Sequence, residues 1–326
     1  LLFFQTSPED AGMAEQLWDA VIAGAGPAGL TAAVMLGRSR RRVLVIDAGS
    51  GRNRFAAHMH GVLGHDGLPP SELRRRGRAE AEGYGAVFRD GTVREVTDVP
   101  AGVLVTADDG SVHRARALVI ATGLRDDLPP IPGLAERWGK TVLHCPYCHG
   151  WEVRDQHLGV LATSPLALHQ VELVRQLSDK VTFFSAGAGN LSPDDEKRLA
   201  ARGIRIEPAP VTEIHGPAPA ITQVTLADGR TASVDALFTA GTLHPFDEFA
   251  AGLDLDRVDT PVGSFLSVDR TGQTSHERIW AVGNVVDPGA NVPMSLGAGS
   301  ITGGVVNARL AKEDTDTALA TPAGVS

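Results

Sequence analysis

The sequence predicts an α/β protein with two Rossmann-like dinucleotide-binding domains. Three observations carry this expectation. Between residues 19 and 47 an apolar strand, a glycine-rich turn, a helix and a second strand ending in an acid follow one another. The same strand–turn–helix–strand outline returns over residues 157–185. The chain has 326 residues, which suits two domains at roughly 100–200 residues each. A hydrophobic share of 43% excludes a disordered chain, and with only 5% aromatic residues the core must be Ala, Val, Leu and Ile.

The first strand is Asp19 to Ala23, followed by Gly24-Ala25-Gly26-Pro27-Ala28-Gly29 and a helical pattern from Leu30 to Gly37. The second strand, Arg42 to Ile46, ends at Asp47, 21 positions after Gly26. This is the dinucleotide fingerprint in its required context. Gly24 permits the tight turn, Gly26 lets backbone approach a pyrophosphate, and Gly29 lets the helix pack on the strand. The helix N-terminus turns its partial positive charge to the phosphates. Asp47 can accept hydrogen bonds from a ribose. Short antiparallel strands are expected at 86–88, 102–107 and 111–115, then a buried strand, Ala117 to Ala121, closing in Ala121-Thr122-Gly123.

Pro129, Pro130 and Pro132 mark the crossing into the second domain. There 159–162 reads as a strand, 167–177 as a helix, 181–184 as a strand, and 236–240 as a strand leading to Gly241. A late strand runs from Ile279 through Gly283 to Asn284, and a Gly/Ser/Ala-rich helix over 295–310 closes the domain. The expected boundaries are 13–125 for the first part of the first domain, 126–243 for the central domain and 244–326 for the return to the first. Residues 1–12, ahead of Met13, are left out of the fold.

With 39 acidic and 30 basic residues the net charge is −9, which opposes nucleic acid and anionic membranes as partners. The most apolar stretch, 21–37, holds four glycines and a proline and falls short of the ~20 residues of a membrane span. LLFF at the start is too brief for a signal-peptide core. The expected address is the cytoplasm. Two cysteines exclude a disulfide scaffold and suggest redox chemistry or a metal.

Both cysteines fall in Cys145-Pro146-Tyr147-Cys148. Two intervening residues can set both sulfurs on one helical turn, close enough to bridge, where a helix N-terminus favours the thiolate. Half a zinc site is a second reading, but only His144 and His149 could complete it, from six consecutive residues, and no metal is expected. Two buried, inert cysteines are a third. A redox pair beside a dinucleotide fold is the reading adopted.

Together these residues resemble the low-molecular-weight thioredoxin reductase family of flavoproteins, over about residues 18–312. The resemblance implies an FAD domain interrupted by a smaller central domain like an NADPH domain. It implies FAD held by Gly24, Gly26, Pro27, Ala28, Gly29 and Asp47, by Ala121, Thr122 and Gly123, and by Gly283 and Asn284. Asn284 stands where the family usually has an acid, and can still hydrogen-bond the ribityl chain. The resemblance implies that Cys148 lies nearer the flavin and Cys145 faces the substrate, and it implies a homodimer.

Two departures matter. The second fingerprint is replaced by Ala162-Thr163-Ser164-Pro165-Leu166-Ala167, so side chains stand where backbone must meet pyrophosphate. Ser185-Ala186-Gly187 replaces the arginines that would hold a 2′-phosphate. NADPH binding is therefore expected to be weak or absent. Next to the sulfurs, His144 and His149 offer a base that titrates near neutrality. His58, His60 and His65, in a glycine-rich loop, are read as ordinary surface residues. The run 145–151, Cys-Pro-Tyr-Cys-His-Gly-Trp, resembles a narrower group, the dithiol oxidases of holomycin- and gliotoxin-type natural products. That resemblance implies a small-molecule dithiol as substrate, with electrons passing through the cysteine pair and FAD to O2 to give H2O2. An NAD(P)H- or ferredoxin-dependent disulfide reductase and a flavin redox sensor stay open beside it.

Overall fold

The computed structural model describes residues 17–320; residues 1–12 and Met13 lie outside this range. The chain divides into two compact units. One holds the chain up to Gly51, Arg74–Leu124 and the chain from Pro245 onward; the other holds Arg52–Leu73 and Arg125–His244. Residues 52–73 thus go with the second unit, where the sequence reading places them in the first domain.

In the first unit the strands run in the order Val87–Asp90, Val43–Asp47, Trp18–Ala23, Val112–Ile120, Gly102–Ala107, Val93–Val99, and Ile279–Ala281 joins Val112–Ile120. Period-two alternation builds the core on both faces. Ala20, Ile22, Val43 and Val45 pack under the helix Pro27–Arg38, while Val21, Leu44, Leu118 and Ile120 fill the opposite side. Three expectations are corrected. The strand expected at 86–88 is Val87–Asp90 and runs parallel to Val43–Asp47, not antiparallel, because the helix Pro70–Gly83 carries the chain across as a βαβ unit. The two strands expected at 111–115 and 117–121 are one, Val112–Ile120. Its first half pairs antiparallel with Gly102–Ala107 and its second half parallel with Trp18–Ala23 and Ile279–Ala281. The final helix is longer, Val292–Ala320. Its glycines explain its closeness to Pro27–Arg38: a Cβ on Gly303 would sit 2.8 Å from the Met35 Cβ, and one on Gly299 would overlap the Ala28 carbonyl.

The second unit is a parallel sheet ordered Arg205–Glu207, Val181–Phe184, Leu158–Leu161, Ala236–Phe238, Val142–Leu143. The helix Ala167–Val174, one turn shorter than expected, buries Ala167, Val171 and Val174 against Leu158, Val160 and Phe183. The other face, with Phe184 and Leu237, is covered by the antiparallel strands Val211–His215, Gln223–Leu226 and Thr231–Ser233. No described helix is long and apolar enough to cross a membrane.

Candidate active site: a glycine cradle and a redox disulfide

In the first unit the candidate residues converge at the carboxyl ends of the strands. Gly24 has φ +101°, a left-handed conformation, and a Cβ there would stand 2.5 Å from the Ala121 carbonyl oxygen. A Cβ on Gly29 would overlap the Gly24 carbonyl, so turn and helix are packed backbone to backbone. Gly26 is different: a Cβ there would meet no atom within 4 Å. It caps the helix Pro27–Arg38 with Pro27 in the first turn, leaving an open cradle at the positive end of the helix. Asp47 accepts a hydrogen bond from Ala25 N at 2.9 Å. Gly283 approaches Ala28, its Cβ position 3.1 Å from the Ala28 Cβ. Turn, acid, closing strand and late strand thus form one contiguous set.

Three of its members are committed to the protein itself. The Thr122 hydroxyl donates to the Phe246 carbonyl at 2.5 Å, and Phe246 N donates to the Gly123 carbonyl at 3.0 Å. Thr122 and Gly123 therefore anchor the returning chain. Asn284 Nδ2 donates to the carbonyls of Asp287 and Ala290 at 3.0 and 2.9 Å, closing its own loop; only Oδ1 is left to meet a ribityl hydroxyl. The open cradle at Gly26 beside a helix N-terminus fits the pyrophosphate of FAD. Arg74 Nη2 grips Asp47 Oδ2 at 2.9 Å beside it.

In the second unit Cys145 and Cys148 form a disulfide. Cys145 is the extended N-cap of a one-turn helix, Pro146–His149, whose first position suits proline. Cys148 N donates to Cys145 Sγ at 3.1 Å, a contact that favours negative charge on that sulfur. A Cβ on Gly150 would overlap Leu177, so the backbone lies tight on the core there, and Val153 is buried behind it. With that face committed inward, Tyr147 is 79% and Trp151 68% exposed. Arg154 stacks on the Trp151 ring at 4.0 Å and donates to its carbonyl at 2.7 Å, which holds the indole in place.

The two histidines differ. His144 packs against Trp138, its Nδ1 lies 3.4 Å from the Thr239 carbonyl, and its own carbonyl accepts from Gln170 at 2.7 Å. Burial, helped by the nearby Arg52 guanidinium, holds its pKa below the ordinary histidine value. Burial also lowers the pKa of His149, opposed by the Glu152 carboxylate and aided by His60. Both rings are therefore neutral at pH 7 and able to take a proton. His60, read from the sequence as an ordinary loop residue, is more than that: its Nδ1 lies 3.1 Å from Asp66 and its Nε2 3.4 Å from Glu152. It ties the 52–68 loop to the segment that follows the disulfide. Nothing in the local pattern marks Glu152 or Arg74, which sequence reasoning missed. No group of three or more His, Cys, Asp or Glu among the described residues could hold a metal ion.

The second turn, Ala162 to Ala167, departs from the first in shape. Its backbone closes on itself through Ala167 N to Ser164 O and Leu168 N to Pro165 O, both 3.1 Å. The segment Ser185–Ala188 folds over it, with Ser185 and Ala188 buried. A Cβ on Gly187 would overlap the Ala162 carbonyl and lie 3.1 Å from the Thr163 Cα. The crevice between these neighbouring strand ends is taken by the chain itself, and residues 185–188 carry no charge. A nicotinamide dinucleotide phosphate does not fit these residues.

A family model described as pyridine nucleotide-disulphide oxidoreductase matches residues 18–303. The thioredoxin reductase sirT of Leptosphaeria maculans is 31% identical over 309 residues, covering 89% of this chain and 94% of that protein. The thioredoxin reductase aclD of Aspergillus oryzae is 31% identical over 316 residues, covering 93% and 99%. Among solved structures, HlmI superposes with a TM-score of 0.88 at 42% identity, covering 93% of this chain and 95% of HlmI. An oxidoreductase from Agrobacterium tumefaciens gives 0.86 at 37% identity, covering 91% and 99%.

Proposed function

Given that the chain belongs to the pyridine nucleotide-disulphide oxidoreductases, in their thioredoxin reductase-like, FAD-binding branch, we propose that it oxidises small-molecule dithiols of the holomycin or gliotoxin kind to intramolecular disulfides. The observation that carries this reading is the closed crevice at Ala162–Ala167, with Gly187 against the Ala162 carbonyl. A redox disulfide whose unit has no room for a nicotinamide donor favours thiols over a nicotinamide as its electron source. The Cys148 N–H on Cys145 Sγ points the same way, because stabilising the reduced form makes a disulfide a stronger oxidant.

The proposed sequence uses the chain's own groups. A substrate thiol gives its proton to neutral His149, and the thiolate attacks Cys145 Sγ. The Cys145–Cys148 bond breaks and Cys148 leaves as thiolate. The second substrate thiol gives its proton to solvent, and its sulfur attacks the first substrate sulfur. Product disulfide forms while Cys145 departs as thiolate, accepting the Cys148 N–H at 3.1 Å. The substrate has then lost two electrons and two protons, and the enzyme disulfide has gained the electron pair. His144, with its ring packed on Trp138, positions the strand end that precedes Cys145. Gly24 to Gly29, Asp47, Ala121 and Gly283 would hold FAD, with the Asn284 Oδ1. FAD held there would supply the two-electron acceptor that restores the disulfide, with O2 as the final acceptor giving H2O2.

The test is oxygen uptake with small dithiols against reduced thioredoxin, each with and without NADPH. Uptake with small dithiols alone, indifferent to NADPH, is expected. Rapid anaerobic bleaching of the flavin by NADPH would overturn the reading.

A further inference from the structure

The 52–68 loop carries a histidine that the proposed reaction does not use. Met59 and Val62 of this loop are buried. Met59 N donates to the Leu68 carbonyl and Gly67 N to the Met59 carbonyl, both at 3.0 Å, so the loop closes on itself. His60 stands between the two buried anchors, and Gly61, at φ +72°, turns the chain just after it. The imidazole side chain is only 24% exposed and lies between two carboxylates. Its Nδ1 is 3.1 Å from Asp66 Oδ1, in the same loop, and its Nε2 is 3.4 Å from Glu152 Oε1.

Glu152 belongs to the segment that carries the disulfide. The helix Pro146–His149 continues through Gly150, which keeps right-handed angles of φ −73° and ψ −31°, into the tighter turn Trp151–Val153. In such a turn side chains three residues apart eclipse, which sets Glu152 on the same side as His149. Glu152 is exposed. Without a partner its long side chain would gain entropy by moving off into water. The buried Met59 and Val62 fix the loop, the loop fixes the His60 ring, and the ring meets the carboxylate.

We propose that His60 is a positioning residue, holding the Glu152 carboxylate beside His149, the group that takes the substrate proton. The proposal deepens the reading of His149 as the base and rests on it. His60 acts on His149 in two opposite ways. Its own charge disfavours the His149 cation, while the carboxylate it holds favours that cation, and the carboxylate has the larger effect. The groups facing His60 are Asp66, Glu152 and His149, and the disulfide-bonded Cys145 and Cys148 do not titrate.

The experiment follows the histidine ring signals of the full-length, FAD-bound, oxidised protein by NMR as pH is varied, with His149 assigned by loss of its signal in His149→Ala. Wild type, His60→Asn and His60→Gln are compared, each with and without Glu152→Gln. Asparagine places an amide nitrogen near the Nδ1 position, keeping Asp66 and losing Glu152. Glutamine reaches the Nε2 position and keeps Glu152. His60→Asn is expected to move the His149 titration to lower pH by about 0.3 to 0.5, the scale of a partly exposed ion pair. His60→Gln is expected to move it slightly upward, because the opposing charge is gone and the carboxylate stays. With Glu152→Gln present, His60→Asn should give no downward shift. Equal upward shifts in both variants would overturn the proposal, leaving His60 as a charge alone. No shift in either, or a downward shift that persists with Glu152→Gln, would overturn it too. Melting of each variant checks the loop; if His60→Asn is loosened, His60→Phe, which fills the ring's space and meets neither carboxylate, takes its place with the same expected downward shift. Failed oxygen uptake with these shifts present would sink the dithiol-oxidase reading and leave the clasp standing, whereas normal uptake without them would sink the clasp alone.

Discussion

The two strand–turn–helix–strand units share a topology and differ at their turns. At Gly26 a Cβ would meet nothing within 4 Å; at Gly187 it would overlap the Ala162 carbonyl. The first turn leaves a helix N-terminus open beside an acid. The second is filled by Ser185–Ala188, residues that carry no cation to offer a phosphate. Both keep a buried core of Val, Leu and Ala beneath the helix, so the fold survived in both. The comparison teaches that a dinucleotide fold and a dinucleotide site are separable. The fold needs the core, whereas the site needs a few absent Cβ atoms.

The most severe break of the comparison leaves both turns alone. Cys145→Ser or Cys148→Ser is expected to reduce dithiol oxidation to background while FAD absorbance is retained. Near-normal turnover in either variant would remove the disulfide from the reaction. The next test acts on the open turn. Gly26→Ala should fold, since a Cβ there meets no protein atom within 4 Å, yet bind FAD at least about 10-fold more weakly because it occupies the pyrophosphate's place. Unchanged FAD affinity would mean that the cradle is not the site. In the closed turn, Gly187→Ala should cost roughly 1–3 kcal/mol of stability through overpacking and gain no NADPH binding. A melting midpoint equal to the wild type would show that the segment is not wedged as described.

The open turn was legible in the sequence because its logic is local: glycines, a proline and an acid at fixed spacing, each with a steric or electrostatic reason. The change of the second turn was legible for the same reason. What escaped depended on distant contacts. Arg116 looks like a break between two strands, but Asp19, Glu313 and Asp314 pair with its guanidinium and let one strand run through it. Residues 52–73 follow the first domain in sequence, yet Phe55 packs on Gly139 of the second unit. Arg74 reaches Asp47 across 27 positions with no periodic signal to mark it. Glu152 gains meaning only through His60, drawn from a loop some 90 residues earlier in a chain whose turns give no hint of the pairing.

The smallest expected effect concerns that last group. If neutral His149 accepts the substrate proton, kcat/KM falls as pH drops through the His149 pKa. Burial places that limb below the ordinary histidine value of about 6.5. The groups facing His149 act in opposite senses: Glu152 favours its cation, and His60 opposes it. Glu152→Gln removes the favourable charge and should move the acidic limb to still lower pH, with the plateau little changed. His149→Ala should lower the plateau and abolish the limb. A Glu152→Gln profile that superposes on the wild type, beside a His149→Ala profile that keeps its limb, would transfer the proton-accepting role to His144. That ring's pKa answers to Arg52 and Asp126 instead, so Asp126→Asn would then be the variant that moves the limb downward.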